Sequence, residues 1–61
     1  MIERYKKEIE YYYKRLSNKE KAYKHAERYI LDCYRQGVIN EYETTVLNIY
    51  NGKLFVNDFY F

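Results

Sequence analysis

Ile2, Tyr5, Ile9, Tyr12 and Leu16 recur at spacings of three and four residues, with Tyr13 beside them, and no other feature constrains the fold as strongly. Residues three and four apart share one face of an α-helix, so this run predicts an amphipathic helix over about residues 2–16. Glu3 with Lys7 and Glu10 with Lys14 stand four apart in the favourable order, which adds about 0.2–0.5 kcal/mol per pair.

The stripe lapses at Ser17, and Ser17 followed three residues later by Glu20 has the form of a capping box. A second helix is therefore predicted over about 18–36, with Ala22, Ala26, Tyr29, Ile30 and Cys33 facing inward. The two alanines leave room for the tyrosines of the first helix, and a short connection between matching stripes makes an antiparallel hairpin. Gly37 can take the left-handed conformation that closes a helix, with Val38 and Ile39 packing just beyond.

Two readings compete for the remainder. In the helical one, Asn40 caps, Glu43 completes the box, and Ile39, Tyr42, Val46, Ile49 and Tyr50 form the inward stripe of a helix over about 41–50. Asn51 and Gly52 then stop the helix, and residues 53–61 form an extended tail. In the alternative, Asn51-Gly52 makes a type I′ turn that pairs Ile49 with Leu54 and Leu47 with Val56, with Thr44, Thr45 and Val46 suited to a strand. The helical reading is favoured because cap and periodicity begin together at Asn40. The expected class is thus mainly α: one domain over 1–61, an antiparallel helical hairpin plus a short third helix and a tail. A helical hairpin followed by a C-terminal β-hairpin is the rival. In either case the aromatic segment from Leu54 to Phe61 must be covered or paired.

Sixty-one residues make at most one core. A chain this short buries only about 60% of its unfolded surface, so support from a partner or a homodimer is a natural expectation. The single cysteine, Cys33, excludes an intrachain disulfide and favours an intracellular, cytoplasmic setting. The charged N-terminus does not read as a signal peptide, and no run approaches the roughly 20 apolar residues that span a bilayer. Tyr, Lys, Ile, Asn and Phe dominate while Pro and Trp are missing, the usage of an AT-rich genome. Very short, Tyr-rich chains of this kind are common among phages, archaeal viruses and mobile elements.

Chemistry has few places to reside. His25 and Cys33 are eight residues apart on one predicted helix, about 12 Å along its axis and too far for a hydrogen-bonded dyad. One Cys and one His do not make the paired spacings of a zinc site, and the only glycines, Gly37 and Gly52, build no phosphate-cradling loop. A non-enzyme without cofactor or metal is expected.

The charges are more informative. Residues 1–36 hold ten basic against six acidic side chains, a net of +4, and residues 37–61 hold one against three, a net of −2. At 100° per residue, Lys21, Lys24, Arg28 and Arg35 fall within about 60° opposite the apolar stripe of the second helix, with Leu31 beside them. On the first helix Tyr11 points away from the core, flanked by Arg4, Lys7, Lys14 and Arg15. Tyr and Arg are enriched at binding hot spots, so these ten residues are the candidate partner-binding set. The favoured expectation is a small non-catalytic interaction protein, a viral, phage or mobile-element accessory factor. It would bind and inhibit a host protein or nucleoprotein, in the manner of anti-defence proteins such as anti-CRISPRs. The alternative is a small basic nucleic-acid-binding regulator with a helix-turn-helix-like arrangement, although the turn from Gly37 to Val46 is long for that motif.

Overall fold

The computed structural model describes residues 2–57, in three helices with no strand among them. Helix α1 is Ile2–Arg15, α2 is Lys19–Arg35 and α3 is Glu41–Val56, and each packs on the other two. The hairpin-plus-third-helix architecture is therefore the observed one, and the β-hairpin alternative is overturned.

Local chemistry accounts for the boundaries. Helix α1 opens with Glu3 and closes with Lys14 and Arg15, the signs that its dipole favours. The cap of α2 lies one residue later than the sequence pattern indicates. Asn18, not Ser17, accepts from the Glu20 and Lys21 amides at 2.8 and 3.2 Å, because its amide oxygen reaches both free donors of the first turn. At the other end Gln36 caps and Gly37 adopts φ +78°. The Gly37 amide donates to the Tyr34 carbonyl and the Val38 amide to that of Cys33, the paired bonds of a Schellman motif. Ile39 then turns into the core, whereas Val38 is 52% exposed and does not pack as expected.

The capping box of α3 is complete. Asn40 Oδ1 accepts from the Glu43 amide and Glu43 Oε1 from the Asn40 amide, both at 2.8 Å. Thr44 and Thr45, which suit a strand, instead donate their hydroxyls to the carbonyls of Asn40 and Glu41 one turn back. Two expectations for this segment fail. Asn51 and Gly52 do not stop α3, which runs on to Val56, so residues 53–56 are helical rather than part of an extended tail. The inward stripe is also rotated: Leu47, Asn51 and Leu54 are buried, while Tyr42 is 75% and Ile49 56% exposed. The outer part of the tail, residues 58–61, lies outside the described residues.

The core consists of Ile9 and Tyr13 from α1, Ala22, Ala26, Ile30 and Cys33 from α2, Ile39, and Leu47 and Leu54 from α3. Both alanines are fully buried, which lets α1 approach α2 closely enough for Tyr12 and Tyr5 to reach the Tyr29 ring, with centroids 5.9 and 6.4 Å away. On the other side Tyr23 meets Phe55 at 5.0 Å.

One polar group lies at the centre. Asn51 is 1% exposed. Its Oδ1 accepts from the Tyr13 hydroxyl at 2.7 Å, its carbonyl lies 3.1 Å from the same hydroxyl, and its Nδ2 donates to the Tyr23 carbonyl at 3.2 Å. One side chain thereby ties α3 to both other helices, and every buried side-chain nitrogen or oxygen among the described residues has a partner. This explains why an Asn-Gly pair sits inside a helix: the amide that would initiate a turn is engaged in the core.

Candidate interaction surface

The ten residues of the candidate set are all exposed. They fall on two helices. Tyr11, Arg4, Lys7, Lys14 and Arg15 lie on the outward face of α1, and Lys21, Lys24, Arg28, Leu31 and Arg35 on that of α2. Tyr11 is 50% exposed and is held by its own helix: Arg15 Nη1 donates to its hydroxyl at 3.2 Å, with the guanidinium carbon 5.9 Å from the ring centroid. The patch is thus partly pre-ordered.

On α2, Lys24 and Arg28 form a ridge between two clefts. The cleft towards α1, about 360 Å³, is lined by Tyr12, Lys24, His25, Arg28, Tyr29 and Asp32. The cleft towards α3, about 560 Å³, has Ile30 and Tyr23 in its lining, with Leu31, Thr44 and Asn48. Ile30 is buried, whereas Leu31 is 45% exposed beside the two cations. Sequence periodicity identifies the ridge, but it does not identify the clefts. His25, Tyr23, Thr44 and Asn48 join the surface only because α1 and α3 flank α2.

The titratable groups of the interior are tied to packing. Burial pushes the Tyr13 hydroxyl up to about 12, with Tyr23 adding to the effect. Burial likewise raises Tyr29 and Tyr12, helped by Cys33 for the first and by Glu8 for the second. The Cys33 thiol is raised by burial, with its hydrogen bond to Tyr29 and the Arg4 guanidinium acting against the shift. His25 is exposed, and its Nδ1 lies 2.9 Å from the Lys21 carbonyl, so this nitrogen carries the proton. Cys33 is at the core and His25 at the surface, so the two do not meet. Among the described residues no three acidic, His or Cys side chains are grouped to hold a metal ion, and no helix is long and apolar enough to cross a membrane.

Compared with protein-family models, with curated proteins and with solved structures, the chain matches none.

Proposed function

We propose that this protein acts by binding rather than catalysis, and that the outward face of α2 grips a protein whose surface is acidic with an apolar centre. The observation that carries this reading is the placement of Leu31, 45% exposed one turn beyond Arg28 on the basic face of α2, at the edge of a cleft lined by Ile30, Lys24, Glu27 and Arg28. An apolar anchor with cations beside it matches the anatomy of a protein interface, in which a desolvated centre supplies affinity and charges at the rim guide the encounter. The viral or mobile-element flavour of the composition fits an accessory factor that blocks a host protein or nucleoprotein in the host cytoplasm.

The ridge also suits phosphate contact, the basis of the nucleic-acid alternative. Two observations weigh against it. The α2 cations are interspersed with Glu20, Glu27 and Asp32, and α3, the helix that would enter a groove, begins with Glu41 and Glu43. An acidic helix start faces phosphate with the wrong sign.

Fluorescence anisotropy of a labelled generic DNA duplex across a salt series separates the two. The protein reading predicts no binding up to about 10 µM protein at low salt. Micromolar binding that falls steeply with salt, and flattens in Lys24→Gln/Arg28→Gln, would establish the nucleic-acid reading instead.

A further inference from the structure

Asn51 is the only asparagine of the chain that is followed by glycine. In an unfolded chain such a pair readily loses its side-chain amide. The backbone nitrogen of the next residue attacks the carboxamide carbon, and Gly52 has no side chain to crowd that nitrogen or to restrict its backbone. Here the pair stands in the interior of α3, and Asn51 is 1% exposed.

The fold holds the reacting atoms apart in three ways. Attack closes a nearly planar five-membered ring, which needs the Gly52 nitrogen eclipsed with the Asn51 Cβ. At a tetrahedral Cα that sets ψ of Asn51 at about 120° in magnitude, whereas a helix holds it at about −42°. The Gly52 amide must also lose its proton before its nitrogen can attack, and within α3 that N–H is directed at the Asn48 carbonyl one turn back. The carboxamide itself is clamped: Oδ1 accepts from the Tyr13 hydroxyl at 2.7 Å and Nδ2 donates to the Tyr23 carbonyl at 3.2 Å. The Tyr13 hydrogen bond polarises the carboxamide and by itself would favour attack, so protection comes from the geometry that this bond helps to lock.

We infer that Asn51-Gly52 is a latent modification site, kept unreactive by the docked α3 and converted by solvent water whenever that helix opens. Hydroxide takes the Gly52 amide proton and the nitrogen bonds to Asn51 Cγ. The Cγ–Nδ2 bond then breaks, and Nδ2 leaves as ammonia with a proton from water. Water adds to either carbonyl carbon of the cyclic imide and opens it to an aspartate or an isoaspartate at position 51. The sum is amide plus water to carboxylic acid plus ammonia, with no redox change.

Neither product fits the core. An aspartate replaces the Nδ2 donor by an oxygen that faces the Tyr23 carbonyl, acceptor against acceptor, and puts a charge where Asn51 is buried. An isoaspartate also routes the main chain through Cγ, and the added methylene puts the α3 hydrogen bonds out of step. Opening thereby becomes one-way, and the reacted chain loses Thr44 and Asn48 from the cleft beside Leu31.

Mass spectrometry of the peptide spanning position 51 tests this, after incubation of the full chain in mildly alkaline buffer with and without urea. Exchange of NH2 for OH should appear first at Asn51 in the unfolded chain. In the folded chain it should be about 100-fold slower or more, the protection that the stability of so small a core confers. In sub-denaturing urea the rate should follow the unfolded fraction measured in parallel. Tyr13→Phe should accelerate the folded-state reaction about 5–30-fold, in proportion to its loss of stability. Gly52→Ala, whose Cβ meets nothing within 4 Å among the described residues, should fold and slow the reaction of the unfolded chain. Asn51→Asp makes one product directly and should unfold at lower urea than the wild type. A folded chain that reacts as fast as the unfolded one, a rate indifferent to sub-denaturing urea, or an Asn51→Asp chain as stable as the wild type would overturn the proposal.

Discussion

Asn51 and Tyr13 show how much of this small fold rests on single groups. Tyr13→Phe removes the donor to Asn51 Oδ1 and should destabilise by about 1–2 kcal/mol. Asn51→Ala removes the Oδ1 acceptor and the donor to the Tyr23 carbonyl, leaves the Tyr13 hydroxyl to the backbone carbonyl of position 51 and opens a small void, for about 2–4 kcal/mol. Replacing both, as Tyr13→Phe with Asn51→Ala, removes the side-chain donor and acceptor together and should be less destabilising than the sum of the two single changes. Urea unfolding of the four proteins measures that coupling, and strict additivity would show that the hydrogen bond carries no special weight. The same pair marks the limit of sequence reading at this scale. Asn51-Gly52 has the composition of a turn, and only the approach of Tyr13 and the Tyr23 carbonyl makes the asparagine a core residue.

At the scale of elements, the helices were legible wherever apolar spacing and cap chemistry coincided. The α1 stripe, the inward alanines of α2, the Gly37 stop and the Asn40 box all stand where local rules place them. The rotation of α3 was not legible. Its apolar residues go nearly all round the helix, and the true inward row, Leu47, Asn51 and Leu54, has a polar member at its centre. A pattern that seeks the most apolar face selects Tyr42 and Ile49 instead, residues that packing leaves outside. The candidate binding residues were legible as a charge pattern, whereas the clefts beside them required the neighbouring helices. Two substitutions test the element ends. Asn40→Ala should cost about 1 kcal/mol through loss of the α3 cap. Gly37→Ala meets no steric obstacle and should cost about 1–2 kcal/mol from its backbone conformation alone. Thermal melts read both, and a Gly37→Ala variant as stable as the wild type would remove that residue's role in the turn.

For the whole molecule, the buried hydroxyls and thiol couple folding to alkaline pH. Tyr13, Tyr29, Tyr12 and Cys33 all have folded values above their ordinary ones, so the folded state holds these protons more tightly than the unfolded chain. Their contribution is fully present below the unfolded values of 9.0 for the thiol and 10.0 for the tyrosines, and is lost as pH climbs through the folded ones. Urea unfolding should therefore show stability falling from about pH 9 towards 12. The fall should be shallower in Tyr13→Phe, which lacks the hydroxyl raised to about 12.

At this scale the domain presents an α2 face with Leu31 beside Arg28 at the edge of a cleft, and an α3 face that exposes Tyr42, Ile49 and Val56. The α2 face is the central claim, and site-specific photocrosslinking tests it most directly. A photoreactive residue is placed at Leu31 and, as a control, at Thr45, in protein added to lysate of the source cells. The account predicts one protein captured from position 31 and not from 45. That capture should be competed away by unlabelled wild type and about 5–30-fold less well by a Leu31→Ala or Lys24→Gln/Arg28→Gln competitor. Capture of nucleic acid at position 31, equal capture from both positions, or competition that ignores these three residues would contradict it.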